Sequence, residues 1–439
     1  MGLIIGATTL VPKRKQVMPK SVFFIGIKGV GMTSLALAMA DAGWVVSGSD
    51  TDEVFITDAI LKKHNIKVSL FSVPLPQCDL IIHSAAYPVP TTNIPTKTLA
   101  QALADFVGSR RVIAVAGVGG KTTTSAMLAA LFHSIGRDVG YYVGTSTIAG
   151  LDSPGHAGSD PYYVIEADEY AVSKTDPRPK FALLTPEIVI TTNIVHDHPD
   201  IYPTVGDTLR VFSDLIKGIP ASGTWVYNDT DPLTMQILKN SNPVCHLSPY
   251  NSNLKPFELS VFGDQNQLDA QAAVLAAQAA GIPLEIAEKA IQAYRGAGRR
   301  QEYHGEVAGR LLYDDYGHHP GEIEVTTTSF KTHFPDRRVI LVFESHTYTR
   351  TESLLSDFAK ALSVADLTFI MPIFESAREI GKPHQITPAS FAALIPGATA
   401  LTWDNAAEVV WNASRPGDII LTMGAGFVYK LHEDFKKHL

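Results

Sequence analysis

The chain has 439 residues, which predicts about three domains, and its 45% apolar and 18% charged residues are typical of globular rather than disordered or fibrous proteins. Lys and Arg total 36 against 44 for Asp and Glu, a net charge of −8. This balance argues against wholesale nucleic-acid binding, with a local basic groove as the alternative. Two cysteines, Cys78 and Cys245, are too few for a disulfide framework, so we expect the protein to lie in a reducing cytoplasm. A membrane-spanning helix needs about 20 consecutive apolar residues, and no apolar run is that long.

The first predicted elements follow an N-terminal stretch, Met1–Met18, whose basic residues come after its apolar ones. That is the reverse of the order in a signal peptide, so none is predicted. An apolar strand, Ser21–Ile25, then leads through the glycine-rich loop Gly26–Gly31 into a helix at Met32–Ala42, and a second strand is predicted at Trp44–Val46. This β-loop-α pattern opens a first domain that we place at residues 1–108.

Two further segments repeat this alternation of strands and helices. The second covers residues 109–295 and the third covers residues 296–439. Strands that alternate with helices imply mainly parallel sheets, so the predicted fold class is α/β with three domains. The predicted strands are Val112–Ala116, Tyr162–Ile165, Ile188–Thr192, Leu311–Tyr313, Val339–Phe343, Leu367–Ile370 and Ile419–Leu421, and the predicted helices are Thr122–Phe132, Ala270–Ala280 and Ile286–Tyr294.

The loop of the second segment is the strongest functional signal. Gly117–Gly120 lies between a predicted strand and a predicted helix, and Lys121, Thr122 and Thr123 follow it. Backbone amides of such a loop point together and, with the helix dipole, bind phosphate. Lys121 can reach terminal phosphates, and a threonine hydroxyl can bind Mg²⁺. The loop is shorter than the usual P-loop, and a surface turn is the alternative, but the strand–helix context favours phosphate binding.

The loop of the first segment gives a weaker signal. Its pattern, Gly26-x-x-Gly29-x-Gly31, has Lys28 where the second glycine of the dinucleotide-binding pattern belongs. Asp50 follows at the end of the next strand, where a carboxylate could bind a ribose or a base. Three interpretations stay open: a nicotinamide site, a loop used only for packing, and a site for another nucleotide or nucleotide sugar.

Polar clusters follow four predicted strands at their carboxyl ends. Two lie in the second segment, at 166–169 and 193–200, and two lie in the third, at 314–320 and 344–351. Because ligand sites of α/β sheets lie at the carboxyl ends of the strands, we expect these side chains to converge on Lys121. The carboxylates in these clusters are oxygen ligands of the kind that Mg²⁺ prefers. A zinc site is less favoured, because no cysteine lies nearby. Solvated acidic turns and helix caps are the alternative for each cluster.

These motifs, in this order, resemble those of the Mur ligases, the amide-forming ligases of bacterial cell-wall synthesis. The strings at 314–320 and 348–351 are similar to the branch that adds L-alanine to UDP-N-acetylmuramate and to its murein-peptide relative. The resemblance implies an N-terminal Rossmann-like domain, a central P-loop-type ATP-binding domain and a C-terminal Rossmann-like domain. The matching motifs are Gly-x-x-Gly-x-Gly-Met32, Ser-Gly-Ser-Asp50, Gly-Lys-Thr-Thr-Thr124, Glu-Ala-Asp-Glu169, Thr-Asn-Ile194, Asp-His198, Arg-Arg300, Asp-Asp-Tyr-Gly-His-His-Pro320, Tyr-Thr-Arg-Thr351 and Met-Gly-Ala-Gly426.

The resemblance also implies a role for each candidate residue. The implied catalytic residues are Lys121, Glu166, His198, His318 and Arg350, with Thr122, Glu166 and His198 as metal ligands. The residues implied for ATP are Gly117, Gly119, Gly120, Lys121, Thr122, Thr123, Asn266, Arg300 and Asp315. The residues implied for the sugar nucleotide and the amino acid are Gly29, Val30, Gly31, Met32, Asp50, Ser84, Tyr316, His318, His346 and Arg350.

The implied activity is ATP-dependent formation of an amide between L-alanine and the lactyl carboxylate of UDP-N-acetylmuramate, through an acyl phosphate. ATP and Mg²⁺ are the implied cofactors, and the implied partners are these two substrates, with neither nucleic acid nor membrane. His318 is the candidate base for the incoming amine, because the pKa of imidazole lies near neutral pH. The alternatives are addition of a preformed peptide to the same sugar nucleotide, a nicotinamide-dependent oxidoreductase, and a binding protein with weakened catalysis.

Four features depart from the family pattern. The phosphate loop has Gly119 where the family usually has histidine, and the adenine-binding His-Asn-x-x-Asn pattern is Gln265-Asn266-Gln-Leu-Asp269. Thr347 replaces a usual basic residue, and the stretch 375–379 replaces a usual Ala-Gly-Glu stretch. The first two features concern nucleotide binding, and the last two concern the amino acid.

Overall fold

The computed structural model contains three sheets that follow one another along the chain, each flanked by helices. The predicted α/β fold with three domains is therefore confirmed. The stretch Met1–Met18 and the predicted metal ligand His198 lie outside the described residues. Within the described part of the chain, no helix is both long and apolar enough to cross a bilayer. The structure describes residues 20–89, 91–196, 201–251, 256–375, 379 and 383–438.

The first sheet has five parallel strands, Ser21–Ile25 (β1), Val45–Asp50 (β2), Lys67–Leu70 (β3), Leu80–His83 (β4) and Thr96–Thr98 (β5). Its helices are Val30–Asp41 (α1), Asp58–Lys63 (α2) and Leu99–Val107 (α3). The strand order β3-β2-β1-β4-β5 is that of a Rossmann-like sheet. The central strand β1 is buried after its first residue because the sheet packs on both of its faces.

The second sheet has seven strands, in the order β12-β11-β10-β6-β9-β7-β8, and all pairs are parallel except β7 with β8. Its helices are Lys121–Ser134 (α4), Val205–Lys217 (α5), Pro232–Ser241 (α6), Asp264–Ala279 (α7) and Leu284–Ala290 (α8). The strands are Arg111–Ala116 (β6), Gly140–Tyr142 (β7), Gly155–His156 (β8), Tyr162–Glu166 (β9), Pro186–Thr191 (β10), Thr224–Asn228 (β11) and His246–Tyr250 (β12).

The third sheet has six strands in the order β13-β14-β18-β15-β16-β17, with the edge pair β13–β14 antiparallel and the rest parallel. Its strands are Glu302–Val307 (β13), Arg310–Asp315 (β14), Val339–Glu344 (β15), Leu367–Ile370 (β16), Thr399–Ala400 (β17) and Ile419–Gly424 (β18). Its helices are Pro320–His333 (α9), Tyr348–Ser353 (α10), Leu355–Leu362 (α11), Pro388–Ala392 (α12), Ala406–Ala413 (α13) and Leu431–Phe435 (α14).

The first two sheets share one apolar cluster, whereas a further cluster of the second sheet and two clusters of the third sheet are separate. A single cluster runs from Val22 of β1 to Trp225 of β11, and both residues are almost fully buried. Helix α1 packs closely against the β7–β8 hairpin, where the Ser34 hydroxyl donates to the Val143 carbonyl oxygen at 2.6 Å. At this contact, a Cβ atom on Gly155 would overlap the Ser34 carbonyl oxygen. The first domain is therefore held firmly against the second.

We expect Gly155→Ala to lower the free energy of unfolding by about 2 kcal/mol, because an added methyl group in this packed contact must push two backbones apart. Chemical unfolding followed by circular dichroism measures the change. Gly206→Ala is the matched control, since its Cβ would meet only the Thr204 hydroxyl oxygen, at 3.5 Å. Equal unfolding midpoints for the two variants would contradict the close packing described here.

Candidate active site

A cavity of about 360 Å³ opens where the three domains meet. The phosphate loop and the carboxyl end of β9 form its floor, the start of α1 forms one wall, and the loop before α9 forms another. The structure therefore brings together motifs that lie far apart in the sequence. The predicted site residues that line this cavity are Gly29, Val30, Gly31, Met32, Ser84, Gly120, Lys121, Thr122, Thr123, Glu166, Arg300, Tyr316 and His318.

The phosphate loop is held in place from below by the chain that follows β10. The Asn193 side-chain oxygen accepts hydrogen bonds from the amides of Val118 and Gly119, at 3.1 and 2.9 Å. Gly120 has a φ of +83° and caps α4, and a Cβ atom there would overlap the Asp269 carboxylate. A glycine is needed at this turn for both reasons. The loop is thus ordered before any ligand binds.

Lys121 is the first residue of α4 and points back over the loop. Its ammonium lies 2.5 Å from the carbonyl oxygen of Gly117 and 3.0 Å from Glu169 Oε2. Burial disfavours the charged form, but the combined charges of Glu169, Asp168 and Glu166 outweigh burial and raise the pKa of Lys121. Lys121 therefore keeps its positive charge throughout the physiological pH range.

A hydroxyl and a carboxylate meet beside Lys121. The Thr122 hydroxyl donates to Glu166 Oε1 at 2.9 Å, and the amide of Gly144 donates to Glu166 Oε2 at 2.7 Å. Arg300 also donates to the Thr122 hydroxyl oxygen, at 2.9 Å. Two oxygen ligands held this close fit a magnesium ion, which prefers oxygen donors and retains several waters. The third predicted ligand, His198, lies outside the described residues.

A second cavity, of about 290 Å³, lies on the other side of the phosphate loop. Gly119, Asn266, Arg300 and Asp315 line it, and contact between these residues and a nucleotide stays a prediction. Asp315 accepts hydrogen bonds from the amides of Gln301 and Gly317, at 2.9 and 2.8 Å, and burial raises its pKa to about 6.

The two departures that concern nucleotide binding lie at this second cavity. The Asn266 amide group donates to the Phe262 carbonyl oxygen at 2.6 Å and to Gln301 Oε1 at 3.1 Å. Gln265 accepts a hydrogen bond from the Ser329 hydroxyl at 2.9 Å, and so connects α7 to α9 of the third domain. Burial raises the pKa of Asp269 to about 7. The replacements are therefore accommodated, and they leave the cavity open.

The third domain contributes the wall that faces Lys121. Tyr316 packs under the Arg300 guanidinium, with 4.8 Å between the guanidinium carbon and the ring centre. His318 Nδ1 lies 3.2 Å from the Tyr316 carbonyl oxygen and 3.6 Å from Glu322 Oε2. Burial would raise the pKa of Glu322, but His318 and the amides of His318 and His319 outweigh burial and lower it. Glu322 therefore holds the backbone of His318 and His319 from the first turn of α9.

His346 and Arg350 lie together near His318, and neither is among the described residues that line the central cavity. Arg350 donates to the His346 carbonyl oxygen at 3.1 Å, and the His346 ring is 6.2 Å from that of His318. Glu379 accepts hydrogen bonds from the amides of Tyr348 and Thr349, at 3.2 and 2.9 Å. Glu379, the last residue of the stretch that differs from the family pattern, thus supports the start of α10.

Asp50 lies at the end of β2 but faces its own loop. Its carboxylate accepts hydrogen bonds from the amides of Lys28 and Thr51, at 2.7 and 2.9 Å, and burial raises its pKa. The Lys28 ammonium in turn lies 3.3 Å from Asp58. Asp50 therefore orders the first glycine loop, and a contact between Asp50 and a ligand stays a prediction.

Comparison with known proteins assigns the whole arrangement to one family. Three family profiles match consecutive stretches: Mur ligase family, catalytic domain, at residues 21–111; Mur ligase middle domain at residues 115–272; and Mur ligase, glutamate ligase domain, at residues 299–426. A relative from Desulfitobacterium hafniense (strain Y51), named UDP-N-acetylmuramate--L-alanine ligase, is 34% identical, and the match covers 94% of this chain and 99% of the relative. The chain belongs to the Mur ligase family. The interpretation as an ATP-dependent ligase that forms a carbon–nitrogen bond is confirmed.

Solved structures show that this Mur ligase has the family fold. A murein peptide ligase from Psychrobacter arcticus 273-4 superposes with a TM-score of 0.74 at 23% identity, covering 95% of this chain and 98% of that chain. The UDP-N-acetylmuramate-alanine ligase MurC from Thermotoga maritima also gives a TM-score of 0.74, at 20% identity, with the same coverage.

Asn193, Glu322 and Lys180 are among the residues that line the two cavities without having been named as individual site residues. Asn193 had a signal, because it directly follows a buried strand that ends beside the phosphate loop. Glu322 also had one, because it stands three residues after the N-cap of α9, the spacing of a capping box. Lys180, which lines the central cavity, had none, because it lies in a charged stretch without a motif.

Proposed function

We propose that this Mur ligase joins L-alanine to the lactyl carboxylate of UDP-N-acetylmuramate, with ATP as the energy source. The observation that carries the proposal is one cavity lined both by the first glycine loop, Gly29–Met32, and by Lys121 and Glu166. A sugar nucleotide on the first domain and ATP on the second would therefore present their reacting ends to each other. The name of the relative that is 34% identical supports this choice of substrates.

ATP would bind with its phosphates on the loop Gly117–Gly120 and its nucleoside in the second cavity, beside Asn266 and Asp315. Thr122 and Glu166 would hold Mg²⁺, with His198 as a further proposed ligand. When bound, Mg²⁺ offsets the negative charge of the phosphates.

The chemical difficulty is that a carboxylate resists attack by an amine. In the proposed reaction, a carboxylate oxygen of the sugar attacks the γ-phosphorus of ATP, and the bond to the leaving ADP oxygen breaks. The amine nitrogen then attacks the carbon of the acyl phosphate, loses a proton, and phosphate leaves with the electrons of the carbon–oxygen bond. Positioning and charge stabilisation carry most of this catalysis, and Lys121 supplies a fixed positive charge beside the transferred group.

His318 is the proposed base that takes the proton from the amine. A proton on Nδ1 that donates toward the Tyr316 carbonyl oxygen leaves Nε2 as the basic nitrogen of the ring. We expect His318→Ala to lower turnover by about 10²-fold while ATP affinity changes little, because a positioned base contributes about 10²–10⁴-fold. Steady-state kinetics and titration with an ATP analogue measure the two effects. Unchanged turnover would remove His318 from the mechanism.

The function is tested by phosphate release in the presence of ATP, UDP-N-acetylmuramate and one acceptor at a time. We expect release with L-alanine, and mass spectrometry of the product should show one added alanine. Release with a preformed tripeptide instead would show a murein-peptide ligase. No release with any acceptor would contradict the proposal, and a fluorescence change on titration with a nicotinamide cofactor would favour the oxidoreductase alternative.

We also propose a cytoplasmic location and domain boundaries near Gly108 and Gly296. Both cysteines, Cys78 and Cys245, are free thiols, which fits a reducing compartment. The two boundaries fall between the last element of one sheet region and the first strand of the next.

A further inference from the structure

Lys180 lies in the wall of the central cavity, and packing of the adjacent residue into the core fixes the position of its backbone. It begins the short 3-10 helix Lys180–Leu183, after the chain has left β9 and turned back. Its amide donates to the Tyr170 carbonyl oxygen at 2.9 Å. The next residue, Phe181, is buried and packs against Phe212, with 5.7 Å between ring centres. The backbone that carries Lys180 is therefore anchored in the core.

The Lys180 ammonium is the more open of the two lysine charges in the cavity wall. Its Nζ lies 2.6 Å from Asp168 Oδ2, and its side chain is 27% exposed. The Lys121 side chain is 13% exposed and is held by Glu169 and by loop carbonyl oxygens. Lys180 can therefore donate to a ligand in the cavity while Asp168 keeps it in place.

Lys180 stands on the side of the cavity that the first domain closes. It borders Leu99 at the start of α3 as well as Tyr142 of β7, and the start of α1, Gly29–Met32, lines the same cavity. In the proposed function the sugar carboxylate enters the cavity from the side of the first domain, next to Lys180, and approaches the γ-phosphate of ATP near Lys121. Two anions brought together in a partly buried site repel each other strongly.

We propose that Lys180 is a further catalytic residue, which binds the lactyl carboxylate of the sugar nucleotide and holds it for attack on the γ-phosphorus. One carboxylate oxygen forms the new bond to phosphorus as the bond to ADP breaks, and the other oxygen stays on Lys180. That second oxygen carries the negative charge when the amine adds to the acyl phosphate, so a Lys180 N–H stabilises both steps. The inference rests on the proposed function.

Trapping of the acyl phosphate tests this role. Hydroxylamine is added to enzyme, ATP and UDP-N-acetylmuramate without amino acid, and the hydroxamate formed is measured. We expect Lys180→Met to lower its rate of formation by about 10²-fold, the loss typical of one oxyanion donor, and to raise the KM for the sugar nucleotide. Lys180→Arg should recover part of the rate. Lys174→Met, an exposed lysine in the same turn, is the matched control and should behave like the wild type.

The affinity for an ATP analogue separates a catalytic role from a structural one. It should stay within about twofold of the wild-type value in Lys180→Met. A trapping rate and a KM close to wild type would overturn the proposal, and so would an equal loss of ATP affinity. Lys180→Gln replaces Lys180→Met if circular dichroism shows misfolding. If the wild-type enzyme forms no hydroxamate, the proposed function itself fails. If the wild-type enzyme forms hydroxamate and Lys180→Met forms it at the same rate, only the proposed role of Lys180 fails.

Discussion

Replacing Lys121 by methionine is expected to lower turnover by about 10³-fold, since a fixed charge aimed at the transferred group is worth several kcal/mol in the transition state. The same change leaves the buried carboxylate of Glu169 without the ammonium that lies 3.0 Å from it. Removing one partner of a buried ion pair costs about 3–5 kcal/mol, so this variant is also expected to be less stable. Steady-state phosphate release and chemical unfolding measure the two losses separately.

A double variant distinguishes loss of catalysis from loss of folding. Lys121→Met combined with Glu169→Gln removes both members of the ion pair, so much of the stability should return. Turnover should stay low, because the charge that faces the transferred group is still missing. If the double variant regained both stability and turnover, Lys121 would be a structural residue and the proposed phosphoryl transfer would lose its main electrostatic support.

Replacing Glu166 by glutamine is expected to lower turnover by about 10²–10³-fold and to raise the Mg²⁺ concentration needed for half-maximal activity. The carboxylate faces the Thr122 hydroxyl at 2.9 Å, and an amide binds Mg²⁺ more weakly than a carboxylate does. Activity measured over a range of Mg²⁺ concentrations gives both values.

Glu285→Gln serves as the control, because Glu285 is exposed in the first turn of α8. It should leave both the turnover and the Mg²⁺ dependence unchanged. An unshifted Mg²⁺ dependence in Glu166→Gln would remove Glu166 from the set of proposed metal ligands.

The sequence predicts the strands at the centre of each sheet well, because burial on both faces demands continuous apolar residues. β1 matches its predicted range, and β16 does as well. β2 extends to Asp50, beyond the predicted apolar residues 44–46, because its Ser-Gly-Ser-Asp end pairs with β3 without an apolar pattern. Edge strands such as β13, which pairs with β14, were not predicted, since one solvated side removes the apolar signal.

The candidate site could be predicted where a glycine loop or a strand end carries the residue. Lys121 and Glu166 lie where their motifs indicate, and they share one cavity. The neighbouring residues that orient them could not be predicted from local sequence patterns. Contacts such as that of Asn193 with the phosphate loop join segments about 75 residues apart. Asp50 shows the opposite case, since its position fits ligand binding but its carboxylate is bonded to its own loop.

The most direct test follows the oxygen atoms of the sugar. UDP-N-acetylmuramate labelled with oxygen-18 in its lactyl carboxylate is turned over with ATP and L-alanine, and the released phosphate is analysed by mass spectrometry. If the loop at Lys121 transfers the γ-phosphoryl group of ATP to that carboxylate, each phosphate carries one labelled oxygen. Phosphate without label, formed together with product, would contradict the acyl-phosphate account.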